Sequence, residues 1–185
     1  MFNVEQFIDD CKLAVASGDG HKAVAALVER SVSEPSGVLA GLGEPERAGV
    51  HKLYVADDLT ILHILWGPQM LLMPHNHEMW AVIGIYTGRE DNIFWRRIPE
   101  EKNGKLKAAG ARSLAAKDVA SLGPDVIHSV TNPVNRLTGA IHVYGGDFFH
   151  TPRSEWDPES LLEGTYDVEK NMRLFEESNR RLETP

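Results

Sequence analysis

The pattern of apolar and polar residues predicts two amphipathic helices at the start of this 185-residue chain. Apolar residues first recur every three or four positions, which places one helical stripe along Val4, Phe7, Ile8, Cys11 and Val15. Asp19 and Gly20 interrupt this period, and a second helical stripe then follows Val24, Leu27, Val28 and Val32. Closely spaced glycines and prolines predict a loop over residues 34–47.

From about Leu53 the pattern changes to short segments rich in β-branched and apolar residues, which Gly, Pro and Asn separate. These segments predict strands at residues 59–66, 79–86, 92–98, 119–122, 127–131 and 137–144. The pair Asn103-Gly104 is typical of a hairpin turn, so the strand near Phe94 is expected to pair with the one after Lys105. Many short strands at this spacing predict a sandwich or a closed barrel.

The last segment returns to a helical period. One apolar stripe runs through Val168, Met172, Phe175 and Leu182, and Asp167 is a candidate N-cap. The sequence therefore predicts a single domain over residues 1–185. Its parts are a helical N-terminal segment (1–50), a β-barrel (51–150) and a C-terminal extension with a helix (151–185).

Composition and charge narrow the classes of partner. The chain is 42% hydrophobic and 25% charged, which is ordinary for a globular protein. Its formal charge of −8 repels phosphate backbones, so no nucleic-acid partner is expected. No apolar run reaches the length of a membrane span, so no membrane association is expected. The N-terminus has no secretory pattern and the chain has one cysteine, Cys11, so we expect a cytoplasmic protein.

Two histidines separated by one residue carry the candidate chemistry. In a strand, positions i and i+2 face the same side, so His75 and His77 would project into one space. Imidazole nitrogen is a good ligand for iron, zinc, copper or nickel, and His128, at the start of another predicted strand, offers a third ligand. Three neutral histidines leave coordination positions open. The alternative is a surface pair arising by chance among eight histidines.

Taken in order, these segments resemble the cupin family, which carries His-x-His in one motif and a Gly/Pro turn followed by His and Asn in the next. Here the second motif is Gly123-Pro124 leading to His128 and Asn132. Within the cupins, the chain is most similar to thiol dioxygenases of the cysteine dioxygenase type and their bacterial relatives. The resemblance covers about residues 54–150 and rests on segments 65–68 (LWGP), 74–77 (PHNH) with Trp80 and Gly84, and 141–147 (IHVYGGD).

The resemblance implies a mainly β fold, the cupin double-stranded β-helix (a jelly-roll-like barrel), between the N-terminal helices and the C-terminal helix that the hydrophobic pattern predicts. It also implies Fe(II) held by His75, His77 and His128, and oxidation of a small thiol by O2 to a sulfinate. The family's row of Ser, His and Tyr would place His142 and Tyr144 beside the substrate as catalytic residues, with Ala140 at the serine position. His142 could instead be a buried core histidine or a fourth ligand.

Two further positions distinguish this chain from other cupins. Many cupins add a carboxylate ligand four or five residues after His-x-His, where this chain has Ala81 and Val82, so Glu78 is left as a further candidate ligand. The family also places a carboxylate-binding arginine after a tyrosine before the metal motif, and the segment at Tyr54 has none. Strand alternation allows at most one of Arg96 and Arg97 to replace it.

Two other functions stay open at the level of sequence. The barrel could hold Zn, Ni or Mn as a Lewis acid, or it could bind a small ligand without catalysis. A homodimer formed through edge strands is a further expectation.

Overall fold

The computed structural model describes residues 2–101 and 104–183. Helices α1 (Val4–Ala16) and α2 (Gly20–Val32) form where the sequence predicts them. Helix α1 buries Phe7 and Cys11, and α2 buries Val24, Val28 and Val32. Burial raises the pKa of the Cys11 thiol to about 12, so Cys11 is a packing residue. None of the described helices is long and apolar enough to cross a membrane.

The loop predicted over residues 34–47 is wrong in its first half, because Pro35–Leu42 forms helix α3. Pro35 stands in the first turn, where a missing N–H leaves no helical hydrogen bond unmade and a fixed φ favours the helix. Gly43 ends the helix with φ at 88°, and its N–H donates to the carbonyl of Leu39. The proline and this glycine therefore mark the ends of a helix.

Eleven strands are described, in two antiparallel sheets. The five-stranded sheet has the order β1-β2-β9-β4-β7, and the six-stranded sheet has the order β11-β10-β3-β8-β5-β6. Each sheet contains four of the strands β2 to β9, in the order β2-β9-β4-β7 in one sheet and β3-β8-β5-β6 in the other. This is the arrangement of an eight-stranded jelly roll, so the predicted double-stranded β-helix is confirmed. The strands are β1 (Gly49–Val55), β2 (Thr60–Trp66), β3 (Leu71–Asn76), β4 (Ala81–Thr87), β5 (Arg89–Arg97), β6 (Leu106–Ala115), β7 (Val119–Leu122), β8 (Ile127–Thr131), β9 (Thr138–Tyr144), β10 (Ser154–Trp156) and β11 (Glu163–Thr165).

The hairpin predicted after Phe94 has the expected pairing. Strands β5 and β6 are antiparallel, and Arg97 lies opposite Leu106. Of the predicted turn pair, Asn103 lies outside the described residues, and Gly104 has a φ of 68° that favours glycine.

Two apolar cores lie on opposite faces of the five-stranded sheet. One fills the space between the sheets, and the other joins this sheet to α1, α2 and α3. Strands β2, β4 and β9 are therefore buried on both faces, which explains their continuous apolar sequences. At Gly84 the approach of α2 is so close that a Cβ would lie 2.4 Å from a methyl of Val28. The helices thus support one sheet from outside.

The C-terminal segment joins the barrel and then covers it. Strand β10 pairs with β3, and α4 (Val168–Glu183) follows, with its first turn capped by the Asp167 carboxylate that accepts from the Lys170 N–H at 2.9 Å. Phe175 is buried as predicted, but Leu182 is 49% exposed, so the predicted apolar stripe is wrong at its end. The buried face of α4 is largely polar and consists of Asn171, Phe175, Ser178 and Asn179.

Candidate metal centre

The six-stranded sheet brings the three predicted ligand histidines together. His75 in β3 lies directly opposite His128 in β8. His77 lies one residue past the end of β3, and Glu78 follows with a φ of 56° that turns the chain. The alternation of side chains therefore extends just far enough to place His77 on the same face as His75.

The Nε2 atoms of these histidines converge. His77 Nε2 lies 3.3 Å from His75 Nε2 and 3.3 Å from His128 Nε2. One ligand atom from each ring falls within 4.8 Å of the others, and all three rings are buried. Within residues 2–101 and 104–183, this is the group of His, Cys, Asp or Glu side chains that could hold a metal ion.

The hydrogen bonds of Nδ1 fix the tautomer of two of the rings. His75 Nδ1 lies 2.9 Å from the carbonyl of Met73, which can only accept. His128 Nδ1 lies 2.6 Å from Asn92 Oδ1, and the amide group of Asn92 donates to Glu90 Oε1 at 3.0 Å. Both Nδ1 atoms therefore donate, and both Nε2 atoms present bare lone pairs to the cavity.

The electrostatics of the cluster suit a cation. Burial lowers the pKa of His75 to about 4. Burial, together with the neighbouring histidines, holds the pKa values of His77 and His128 well below the ordinary range. The rings are neutral near pH 7, and the Nε2 atoms of His75 and His128 each lie 3.3 Å from His77 Nε2. A divalent transition metal among the three nitrogens would be coordinated by their lone pairs. The donor set therefore fits such an ion.

No carboxylate joins this cluster among the described residues. Glu78 is exposed and accepts a hydrogen bond from the side chain of Asn76, so it faces away from the histidines. Ala81 and Val82 are buried in β4 and offer no ligand atom. The candidate ligand Glu78 is thus wrong, and the site is a neutral set of three nitrogens.

Tyr144 and His142 project from the facing sheet into the same space. They are alternate residues of β9, and the ring of Tyr144 packs edge-on against His77 with 5.0 Å between centroids. The hydroxyl of Tyr144 lies 3.0 Å from His142 Nδ1. Burial raises the pKa of Tyr144 well above its ordinary value, so the hydroxyl keeps its proton. His142 is not part of the ligand cluster and does not provide a fourth ligand there.

Glu90 is a buried carboxylate that sequence reasoning missed. Its oxygens accept from the indole N–H of Trp66 at 2.8 Å and the amide of Asn92 at 3.0 Å, and His142 Nε2 lies 3.5 Å away. Glu90 therefore contacts both parts of the site. It orients Asn92, which bonds to His128, and it also lies beside the His142–Tyr144 pair. The signal was the alternation of β5, in which Glu90 and Asn92 are buried while their neighbours are half-buried or exposed.

The arginine near the site comes from the C-terminal segment. Arg96 and Arg97 are both exposed, and Arg97 pairs with Glu163 at 2.6 Å, so neither replaces the missing anchor. Arg153 is buried instead, and its guanidinium lies 4.2 Å from the ring centre of Phe148 and 4.1 Å from that of Tyr166.

Arg153 keeps unused hydrogen-bond donors. Nη1 donates to the carbonyl of Phe148, whereas Nε and Nη2 are buried without a partner among the described residues. The two rings that sandwich the guanidinium, Phe148 and Tyr166, both line the space beside the histidines. A buried cation with free donors next to that space is a natural anchor for an anion.

The histidines border a small closed cavity of about 20 Å³ between the two sheets. This is room for about one water molecule. Helix α4 covers the cavity with Asn171, Met172 and Phe175. The remaining wall is mostly apolar and includes Val50, Leu62, Ile64, Leu72, Val130 and Phe148.

No known family model matches the sequence. Similar solved structures match the chain at low sequence identity and with TM-scores of 0.40 to 0.45. One is a cupin-family protein with a double-stranded β-helix fold from Methanocaldococcus jannaschii, at 12% identity and a TM-score of 0.45, covering 56% of this chain and 84% of that one. A Cupin 2 conserved barrel domain protein from Salinispora arenicola has 20% identity and a TM-score of 0.40 over 51% of this chain and 72% of its own. Oxalate decarboxylase from Bacillus subtilis has 11% identity and a TM-score of 0.44, over 68% of this chain but 29% of that longer chain.

Proposed function

We propose that this protein is a metal-dependent cupin that oxidises a small thiol to a sulfinate with O2, using Fe(II) held by His75, His77 and His128. The observation that carries the proposal is the convergence of the three Nε2 atoms without a carboxylate. Because the ligands are neutral, a bound ion keeps its full double charge, which favours a thiolate from the substrate. Iron would supply the electron transfer to O2 that a redox-inert metal such as zinc does not.

In this proposal the pair Tyr144 and His142 handles the thiol proton. The ring of Tyr144 lies 5.0 Å from that of His77 between centroids, and its hydroxyl lies 3.0 Å from His142 Nδ1. The hydroxyl can accept the proton of the thiol while passing its own to His142, whose other nitrogen faces the Glu90 carboxylate at 3.5 Å. The apolar wall excludes water from this transfer.

Arg153 supports a substrate that also carries a carboxylate. Its Nε and Nη2 groups are buried and unpaired within the described part of the chain, and a guanidinium binds a carboxylate through two parallel hydrogen bonds. The cavity of about 20 Å³ is small, which favours a substrate of few heavy atoms. We therefore propose a small mercapto-acid as the substrate class.

Metal content and oxygen uptake test the proposal together. Untagged protein should contain close to one metal ion per chain by elemental analysis. After anaerobic loading with Fe(II), it should consume O2 only when a small mercapto-acid is added, with a sulfinate as the product. The variant His75→Ala should lose most of the metal, whereas His150→Ala, which removes a histidine with an 83% exposed side chain, should keep it.

Other results would redirect the assignment. An iron-loaded protein that consumes no O2 with any small thiol would exclude thiol oxidation. Zinc, nickel or manganese at one ion per chain would then favour Lewis-acid chemistry at the same histidines. Metal content that is unchanged in His75→Ala would favour a barrel that binds a small ligand without catalysis.

A further inference from the structure

The amide of Asn171, on the inward face of α4, is oriented by hydrogen bonds. The side chain is completely buried and lines the cavity beside the three histidines. Its Nδ2 donates to Glu155 Oε2 at 2.9 Å and to the carbonyl of Asp167 at 2.9 Å. Both of these oxygens accept, so the amide cannot be turned over without losing both bonds. The oxygen, Oδ1, is the polar atom that is left, and it has no partner among the described residues.

The same contacts hold Asn171 at a fixed place relative to the metal ligands. Glu155 lies in β10 directly opposite His75, and its carboxylate also accepts from Lys170 at 2.6 Å. The first turn of α4 is thereby tied to the strand that carries His75. A substrate bound at the histidines would meet Oδ1 at one defined position on an otherwise apolar part of the helix, next to Met172 and Phe175.

We infer that Asn171 is a specificity-determining residue whose Oδ1 accepts a hydrogen bond from an N–H or O–H group of the substrate. A buried carbonyl oxygen without a donor is unfavourable, and a ligand that supplies the donor removes this cost. A site with a buried polar group discriminates strongly against an analogue that lacks the matching group. The preferred substrate therefore carries an amine or hydroxyl in addition to its thiol and carboxylate, an inference that rests on the proposed thiol-oxidising function.

Binding of matched thiols to the metal-loaded protein tests the inference without turnover. Protein loaded with Co(II) would be titrated anaerobically with β-mercaptopropionate, β-mercaptolactate and cysteine, and the thiolate-to-cobalt absorption would report binding. We expect β-mercaptolactate and cysteine to bind about tenfold more tightly than β-mercaptopropionate, which corresponds to about 1.4 kcal/mol. In Asn171→Ala this preference should fall to within about twofold.

A control variant separates the role of Oδ1 from a general loosening of α4. Lys170→Met removes another contact of the same helix with Glu155 and leaves Oδ1 in place, so it should keep the preference. Melting curves of all variants would show that each is folded.

The outcomes distinguish this inference from the proposed function. If none of the three thiols produces the cobalt absorption, the proposed function fails and the inference fails with it. If the thiols bind but wild-type protein does not discriminate between β-mercaptolactate and β-mercaptopropionate, the inference alone is overturned, even if Asn171→Ala proves unstable. A preference that survives in Asn171→Ala, or that is lost in Lys170→Met, would also overturn it.

Discussion

Asn92 determines which nitrogen of His128 faces the cavity. Its own orientation is set by Glu90, because the carboxylate takes the amide hydrogens and leaves Oδ1 for the ring. Partners of this kind raise the basicity of a ligating imidazole and hold its plane. The affinity for metal thus depends on residues that do not touch the ion.

Replacing Asn92 with leucine should therefore weaken metal binding about 10–100-fold, the usual effect of removing such a partner. Competition with a chelator of known affinity would measure the change. The matched control is Ser129→Ala, because Ser129 neighbours His128 but accepts from the indole of Trp95 at 3.0 Å and not from the ring. Equal affinities of wild-type protein and Asn92→Leu would show that the bond does not support the ligand.

At this scale the sequence predicts the histidines but not their surroundings. His75 and His77 were predicted to face one space because alternation in a strand is a local property. Arg153 and Asn171 reach the cavity through β10 and α4, whose place in the fold depends on pairing across the barrel. No local pattern encodes that pairing. Glu90 lies between the predicted strands 79–86 and 92–98, whereas the structure pairs it with Leu114 inside β5 and buries it.

At the scale of elements, β1, β2 and β4 surround a further buried histidine, His63, which lies away from the cavity. His63 Nε2 in β2 lies 2.7 Å from the Tyr86 hydroxyl in β4. The centre of its ring lies 5.5 Å from that of His51 in β1. Burial, together with His51, lowers the pKa of His63 to about 4. In the unfolded chain the pKa returns to about 6.5. As the pH falls, His63 therefore takes up a proton in the unfolded chain at a higher pH than in the folded chain.

This difference predicts a loss of stability in acid. The contribution of His63 is fully present above about pH 6.5 and is lost as the pH falls towards about 4, amounting to about 1–2 kcal/mol between about pH 7 and about pH 5. Urea unfolding at the two pH values would measure it. His63→Gln, which can still bond to Tyr86 but does not titrate, should show a smaller loss. An identical loss in this variant would assign the effect to other groups.

The sequence predicts elements best where the period and the burial agree. Strands β2, β4 and β9 are apolar throughout because helices cover one face and the barrel interior covers the other. Helix α4 was found from its period, yet its buried face carries Asn179, which pairs with both the N–H and the carbonyl of Ala48. The side chain of Asn179 makes the two backbone hydrogen bonds that a neighbouring strand would otherwise make. A polar residue with this role cannot be recognised from hydrophobicity alone.

At the scale of the whole molecule, the site is divided between the two sheets. The three histidines come from the six-stranded sheet, whereas Tyr144 and His142 come from the five-stranded sheet. Helix α4 closes the space between them. The jelly-roll order was expected from the resemblance to cupins, but the cover provided by α4 was not, because that resemblance ends near residue 150. Binding of metal and folding of the barrel are therefore coupled.

A divalent transition metal should stabilise the folded chain. An ion held by the three histidines would join β3 to β8 through His75 and His128, which lie opposite each other in the two strands. An ion that binds only the native state adds about 2.7 kcal/mol at a free concentration of about 100 Kd. Thermal unfolding at buffered metal concentrations should thus show a melting temperature that rises with the logarithm of free metal.

The rise in melting temperature with free metal should be absent in His77→Gln. It should be present in His51→Gln, which changes a histidine that is exposed and outside the cluster. Magnesium at the same concentrations should have little effect on wild-type protein, because it prefers oxygen ligands. A melting temperature that does not respond to any transition metal would mean that the three rings form a buried polar core. In that core the rings would be neutral near pH 7, because burial lowers the pKa values of all three.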